Sequence, residues 1–228
     1  MRQQAILQEM GIAVWVRRAP DTGAGSPADD QRPAVDVGWQ SDGWSSLNAE
    51  INACTACALH ESRTQAVCGV GNETAQWLVI GEAPGADEDR VGEPFVGRAG
   101  QLLNEMLRAA GQPREQVYIA NILKCRPPNN RDPKPAEVER CMPFLERQIR
   151  LLQPKLILVL GRIAAQNLLR TETPIGKLRG RVHQHTIAGR DIPVVATYHP
   201  AYLLRSPGQK RKAWEDLQLA IKVAAGLV

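Results

Sequence analysis

Residues Trp77 to Leu107 read WLVIGEAPGADEDRVGEPFVGRAGQLLNEML. The first four form a short, unbroken apolar run of the kind that fills a strand buried on both faces. The last residues carry apolar side chains at helical spacing and predict a helix over 99–110. Between them lies a glycine-rich turn, a device that brings backbone close to a ligand. This turn lacks the Gly-Lys-Ser/Thr of a triphosphate loop and the GxGxxG of a dinucleotide loop. It also holds Glu82, Asp87, Glu88 and Asp89, which would repel a phosphate. Its ligand must be of another kind.

Outward from this stretch the same alternation repeats. A helix and a cysteine loop at 47–62 precede it. A strand Val117–Asn121, a Pro-rich loop and a helix over 135–152 follow. Next come an apolar strand Lys155–Leu160, a helix 162–169, a strand Ile192–Thr197 and a last helix over about 209–225. Continuously apolar strands alternating with helices predict an α/β fold with a parallel sheet covered on both faces. Ligands in such folds collect at the carboxyl ends of the strands. Three loops leave those ends: GEAPG after Ile80, the stretch beginning at Asn121, and Tyr198-His199-Pro200. Ahead of the domain, assigned to 47–228, residues 1–18 predict a short amphipathic helix with an apolar piece. Residues 19–46, rich in Pro, Gly, Asp and Ser without a period, read as a linker.

A chain of 228 residues has length for one substantial core and an appendage. No apolar run approaches the roughly 20 residues needed to cross a bilayer. The N-terminus has no unbroken hydrophobic segment of a signal peptide, so the cytoplasm is expected. A net charge of +4 is too mild to name a partner. From Arg162 to Lys212, however, ten basic residues face only Glu172 and Asp191. That run is either a solvated surface or a phosphate-tracking face.

The five cysteines are Cys54, Cys57, Cys68, Cys125 and Cys141. Disulfides are out of place in a cytosolic chain. Cys54-Thr-Ala-Cys57 offers two thiolates to one centre, and Cys125 and Cys141 bracket the Pro-rich loop. Four thiolates suit zinc or an iron–sulfur cluster, and spacing alone does not separate the two. Cys68 reads as an inert core residue.

Taken together these residues resemble the family 4 uracil-DNA glycosylases, the iron–sulfur branch of that superfamily. The resemblance covers about 47–225. It is carried by Cys54-Thr-Ala-Cys57, GEAPG at 81–85, PFVGRAGQ at 94–101, NILKCRPPNNR at 121–131, the pair Cys125 and Cys141, and HPAYLLR at 199–205. It implies a three-layer αβα fold around a central parallel four-stranded sheet. It further implies a structural [4Fe–4S] cluster on Cys54, Cys57, Cys125 and Cys141. The implied activity is monofunctional: uracil is flipped out of single- or double-stranded DNA and its N-glycosidic bond hydrolysed, leaving an abasic site for base excision repair.

Residue by residue, the resemblance makes His199 the donor to uracil O2, where the leaving base gathers negative charge. An isolated His would more simply be structural. Asn121 becomes the reader of O4 and N3–H, since its amide holds both an acceptor and a donor. Phe95 becomes the stacking partner of the flipped base, with a core Phe as the plain alternative. Gly81, Glu82 and Ala83 are expected to line the pocket. Ala83 stands where the best-known branch of the superfamily has a water-positioning aspartate, leaving Glu82, Glu88 or backbone carbonyls for that role. After His199, Leu203 and Leu204 are candidate wedges into the duplex and Arg205 a phosphate contact. A sister group that bonds covalently to the uracil site carries a histidine in the segment that here reads CRPPNNRDPKPAEVERC, so ordinary turnover is expected.

Residues 2–19, outside this pattern, resemble the N-terminal segment of the psi subunit of the bacterial polymerase III clamp loader, which docks on the chi subunit. Chi is therefore an expected partner, through a tether of about 27 residues. The expected setting is a monomer at the nucleoid. The competing class is a zinc-bearing nucleic-acid-binding module without catalysis, which would be colourless and release no base.

Overall fold

A computed structural model of the protein describes residues 43–227. The expected helix at 1–18 and most of the linker at 19–46 lie outside them. The chain opens with α1 (Trp44–Ala53) and α2 (Leu59–Ser62), joined by the CxxC loop. A two-residue β1 (Val70–Gly71) leads into β2 (Trp77–Gly81). The glycine-rich turn then contains its own short helix α3 (Ala86–Val91), which ends at Gly92 in the left-handed region. After α4 (Arg98–Ala109) come β3 (Tyr118–Asn121), α5 (Pro135–Leu152), β4 (Leu156–Leu160) and α6 (Arg162–Leu169). The chain closes with α7 (Ile175–Leu178), β5 (Val182–Ile187), β6 (Arg190–Thr197), α8 (Pro200–Arg205) and α9 (Lys210–Ala224).

The strands form one sheet in the order β1-β3-β2-β4-β6-β5. Its four central strands are parallel, with Val79 opposite Ile119 and Leu158, and Leu158 opposite Val195. This is the expected four-stranded parallel core. The antiparallel edges, β1 on β3 and β5 on β6, were not foreseen. Strand β5 escaped notice because its interior, His183 to Thr186, is polar and alternates between half-buried and exposed, as suits an edge. A two-residue turn, Ala188–Gly189, joins it to β6 with both residues at positive φ.

Successive side chains of a strand point to opposite faces, and the core divides accordingly. Leu78 and Ile80 of β2 pack with Val138, Leu145 and Ile149 of α5 and with Ala164 and Leu168 of α6. Trp77 and Val79 pack on the other face with Leu103 and Leu107 of α4 and Leu217 and Ala220 of α9. The result is helix, sheet, helix in three layers. In the central order β3-β2-β4-β6, the chain passes from β2 outward to β3 on one side and from β4 outward to β6 on the other, and ligands gather at such a switch point between β2 and β4.

Candidate active site

The loops leaving β2, β3 and β6 meet around a cleft of about 480 Å³ lined by Glu82, Ala83, Phe95, Asn121, His199 and Tyr202, among others. Gly81, expected to line it, lies just behind. A Cβ there would fall 2.4 Å from Asn121 Oδ1 and 2.6 Å from Phe95 Cζ. Its missing side chain is what allows the amide and the ring to come together.

Asn121 ends β3 and is 2% exposed. Its Oδ1 is buried and has no hydrogen-bond partner among the described residues. A buried polar atom without a partner costs about 1–3 kcal/mol, so it marks a place where a ligand donor is wanted.

His199 caps α8. Its Nδ1 accepts from the Ala201 amide at 3.2 Å, which leaves the proton on Nε2. Burial, with the Arg205 charge assisting, lowers its pKa to about 4, so the ring is neutral at neutral pH. Gly161, at φ 86, admits the ring from the β4 side: a Cβ would sit 2.9 Å from the His199 Cβ.

Phe95 lies with its ring centroid 5.6 Å from that of His199. It holds φ at 56°, a costly conformation for a bulky residue. Two features hold it there. Its backbone presses on Gly100, where a Cβ would meet the Phe95 carbonyl oxygen at 1.8 Å. Arg114 donates to the carbonyls of Pro94 at 2.7 Å and Phe95 at 3.3 Å.

The two carboxylates left open by the sequence have different fates. Glu88 accepts from the amide of Gly85 at 3.1 Å, and from those of Val96 at 3.0 Å and Gly97 at 3.1 Å. It clamps the GEAPG and PFVGR segments together. The Glu82 carboxylate accepts no hydrogen bond among the described residues. Burial, reinforced by the Asp132 charge and opposed by Arg162, raises its pKa to about 7.

Leu203, a candidate wedge, is fully buried, because the helical period of α8 turns it inward toward α4 and α9. This corrects the expectation for that residue. Leu204 is 38% exposed, and Tyr202 and Arg205 line the cleft. Two members of the basic run are engaged by carboxylates. Arg162 pairs with Asp132 at 3.0 Å, and Arg179 is drawn inward onto Asp216 at 2.9 Å.

Cys54, Cys57, Cys125 and Cys141 line one small cavity at the junction of α1, α5 and the loop after β3. Arg63 donates to Cys125 Sγ at 3.0 Å and the Lys124 amide to Cys141 Sγ at 3.3 Å. No three His, Cys, Asp or Glu side chains among the described residues are disposed to hold a single metal ion. Cys68 lies apart, with its sulfur near the Asn48 carbonyl and the Asn52 side chain.

Sequence reasoning missed Arg114, whose contacts to a distant backbone leave no periodic trace. It also missed Lys124, although a lone lysine in the apolar run before Cys125 was a visible signal. A family model described as the uracil DNA glycosylase superfamily matches residues 68–218. The chain is 52% identical to a type-4 uracil-DNA glycosylase of Archaeoglobus fulgidus over 73% of its own length and 85% of that protein's. It is 44% identical to one of Pyrobaculum aerophilum, over 76% and 90%, and 43% identical to one of Thermotoga maritima, over 76% and 91%. With this cleft at its strand ends, the chain belongs to the type-4 branch of the uracil-DNA glycosylase superfamily.

Proposed function

We infer that the protein is a monofunctional uracil-DNA glycosylase of DNA repair, which hydrolyses the bond between uracil and deoxyribose and leaves an abasic site. The single observation that carries the residue assignments is the unpartnered Asn121 Oδ1, buried beside the Phe95 ring and His199. That acceptor suits uracil N3–H, and the amide NH₂ suits O4. Cytosine presents the opposite pattern at these positions and would leave buried groups unpaired. Phe95 stacks on the base. His199, held neutral with its proton on Nε2, donates to O2 as negative charge develops there, a contact worth most in the transition state.

Glu82 supplies the carboxylate that Ala83 lacks. It faces the cleft without a hydrogen-bond partner and titrates near neutrality, as suits a group that orients the attacking water. Leu204 takes the place of the departed base in the duplex, and Arg205 meets phosphate.

Cys54, Cys57, Cys125 and Cys141 fit a [4Fe–4S] cluster. The four line one cavity, and N–H donors from Arg63 and the Lys124 amide reach two of the sulfurs, a setting that suits cluster thiolates. Bound there, the cluster would tie α1 and α5 to the loop that follows Asn121. Residues 2–19 are assigned as a docking peptide for chi, and the enzyme works as a monomer. Deleting residues 1–20 should abolish capture by chi, and retained capture would refute that assignment. The function itself is tested by scoring abasic sites in uracil oligonucleotides, with thymine and cytosine controls. His199→Ala should lose roughly 10²-fold or more in rate.

A further inference from the structure

Beneath the base pocket lies a lysine that does not reach water. Lys124 is 1% exposed, although its long stem would ordinarily carry the ammonium to the surface. Its Nζ donates to the Asn121 carbonyl at 2.8 Å and to Gln148 Oε1 at 2.6 Å. Gln148 is itself fully buried and is fixed by a 2.6 Å bond to the Cys68 carbonyl. Burying an ammonium is expensive, and here it is used to hold the main chain of the residue whose side chain faces the base.

The run from Asn121 to Cys125 has one end in each site. Its middle is bound to β2, with the Ile122 amide on the Gly81 carbonyl and the Leu123 amide on that of Glu82, both at 3.0 Å. Its far end is bound at the cysteines, through the Lys124 amide on Cys141 Sγ and Arg63 on Cys125 Sγ. Lys124 folds back along this run and bonds its first residue. We propose that Lys124 is a positioning residue for Asn121, holding the base-reading amide in register with the four-cysteine site and so setting selectivity for uracil. This rests on the assignment of Asn121 to base recognition.

The test uses the full-length protein in five forms: wild type, Asn121→Ala, Lys124→Met, Lys124→Gln, and the double variant Lys124→Met/Gln148→Leu. The last removes both side chains of the buried Lys124–Gln148 bond, so that neither is left facing an apolar partner, though the Asn121 and Cys68 carbonyls each lose a donor. Thermal unfolding and iron content report on the fold and the cysteine site. Single-turnover excision, KM for DNA and inhibition by free uracil report on the base pocket. A folded double variant with wild-type iron should lose roughly tenfold or more in excision rate and bind free uracil correspondingly less well. Its KM for DNA should stay within about twofold of wild type. Lys124→Gln, which keeps a donor, should recover part of the loss. The proposal is overturned if rate and uracil inhibition stay within about twofold of wild type, if activity falls only in step with iron, or if both apolar variants fail to fold. Unchanged uracil binding in Asn121→Ala would instead refute the role of Asn121.

Discussion

Glu82 and His199 face one cleft and are shifted by the same physical cause in different senses. Burial disfavours charge, which raises the carboxyl to about 7 and lowers the imidazole to about 4. His199 therefore stays a neutral donor across the range in which Glu82 ionises, and the rate should rise with pH through about 7. Glu82→Gln should lose roughly 10²-fold in rate and flatten that limb; an unchanged limb would move the titration to another group. The folded state holds the Glu82 proton more tightly than the unfolded chain does. Its contribution to stability is thus largest below the usual carboxylate range and falls as pH rises to about 7. Discounted for partial exposure, relief of that cost in Glu82→Gln is about 1 kcal/mol, or a rise of about 2–4 °C in Tm at pH 8. The placement of Asn121 and His199 on the cleft was legible because they stand at strand ends, where such folds bind ligands, whereas the roles proposed for them come from the resemblance. Glu88 and Arg114 were not, because they act on the backbone of distant segments.

At the scale of elements, α8 divides its work by face. Leu203→Ala should cost about 2–5 kcal/mol of stability, as for other fully buried leucines. Leu204→Ala should leave stability within about 0.5 kcal/mol yet slow excision from duplex DNA more than from single strands. Thermal unfolding and the ratio of the two rates check both, and equal losses on the two substrates would remove the wedge. The sequence did not separate these leucines because an apolar pair in a six-residue helix does not reveal which member faces in. The central strands and long helices were legible to within about two residues, since their buried faces impose a period. Strand β5 was not, because a polar edge imposes none.

For the whole molecule, the four cysteines join parts that are distant in sequence: α1 and its loop, the segment after β3, and α5. Chelation, or Cys54→Ser, should remove visible absorbance and lower Tm, with excision falling afterwards as the loop at Asn121 loosens. Absorbance without iron, or metal loss without a change in Tm, would count against a cluster that ties these parts together. The spacing of the thiols was legible, but that all four share one cavity came from the resemblance alone, because it depends on how α5 packs against α1. Glu88, bonded to three amides, makes the two walls of the base pocket a single body before any base arrives. On the assignment of uracil to this cleft, the base enters a socket whose conformational entropy was surrendered during folding, so that discrimination between bases would be decided by fit and not by the cost of closing loops around the wrong one.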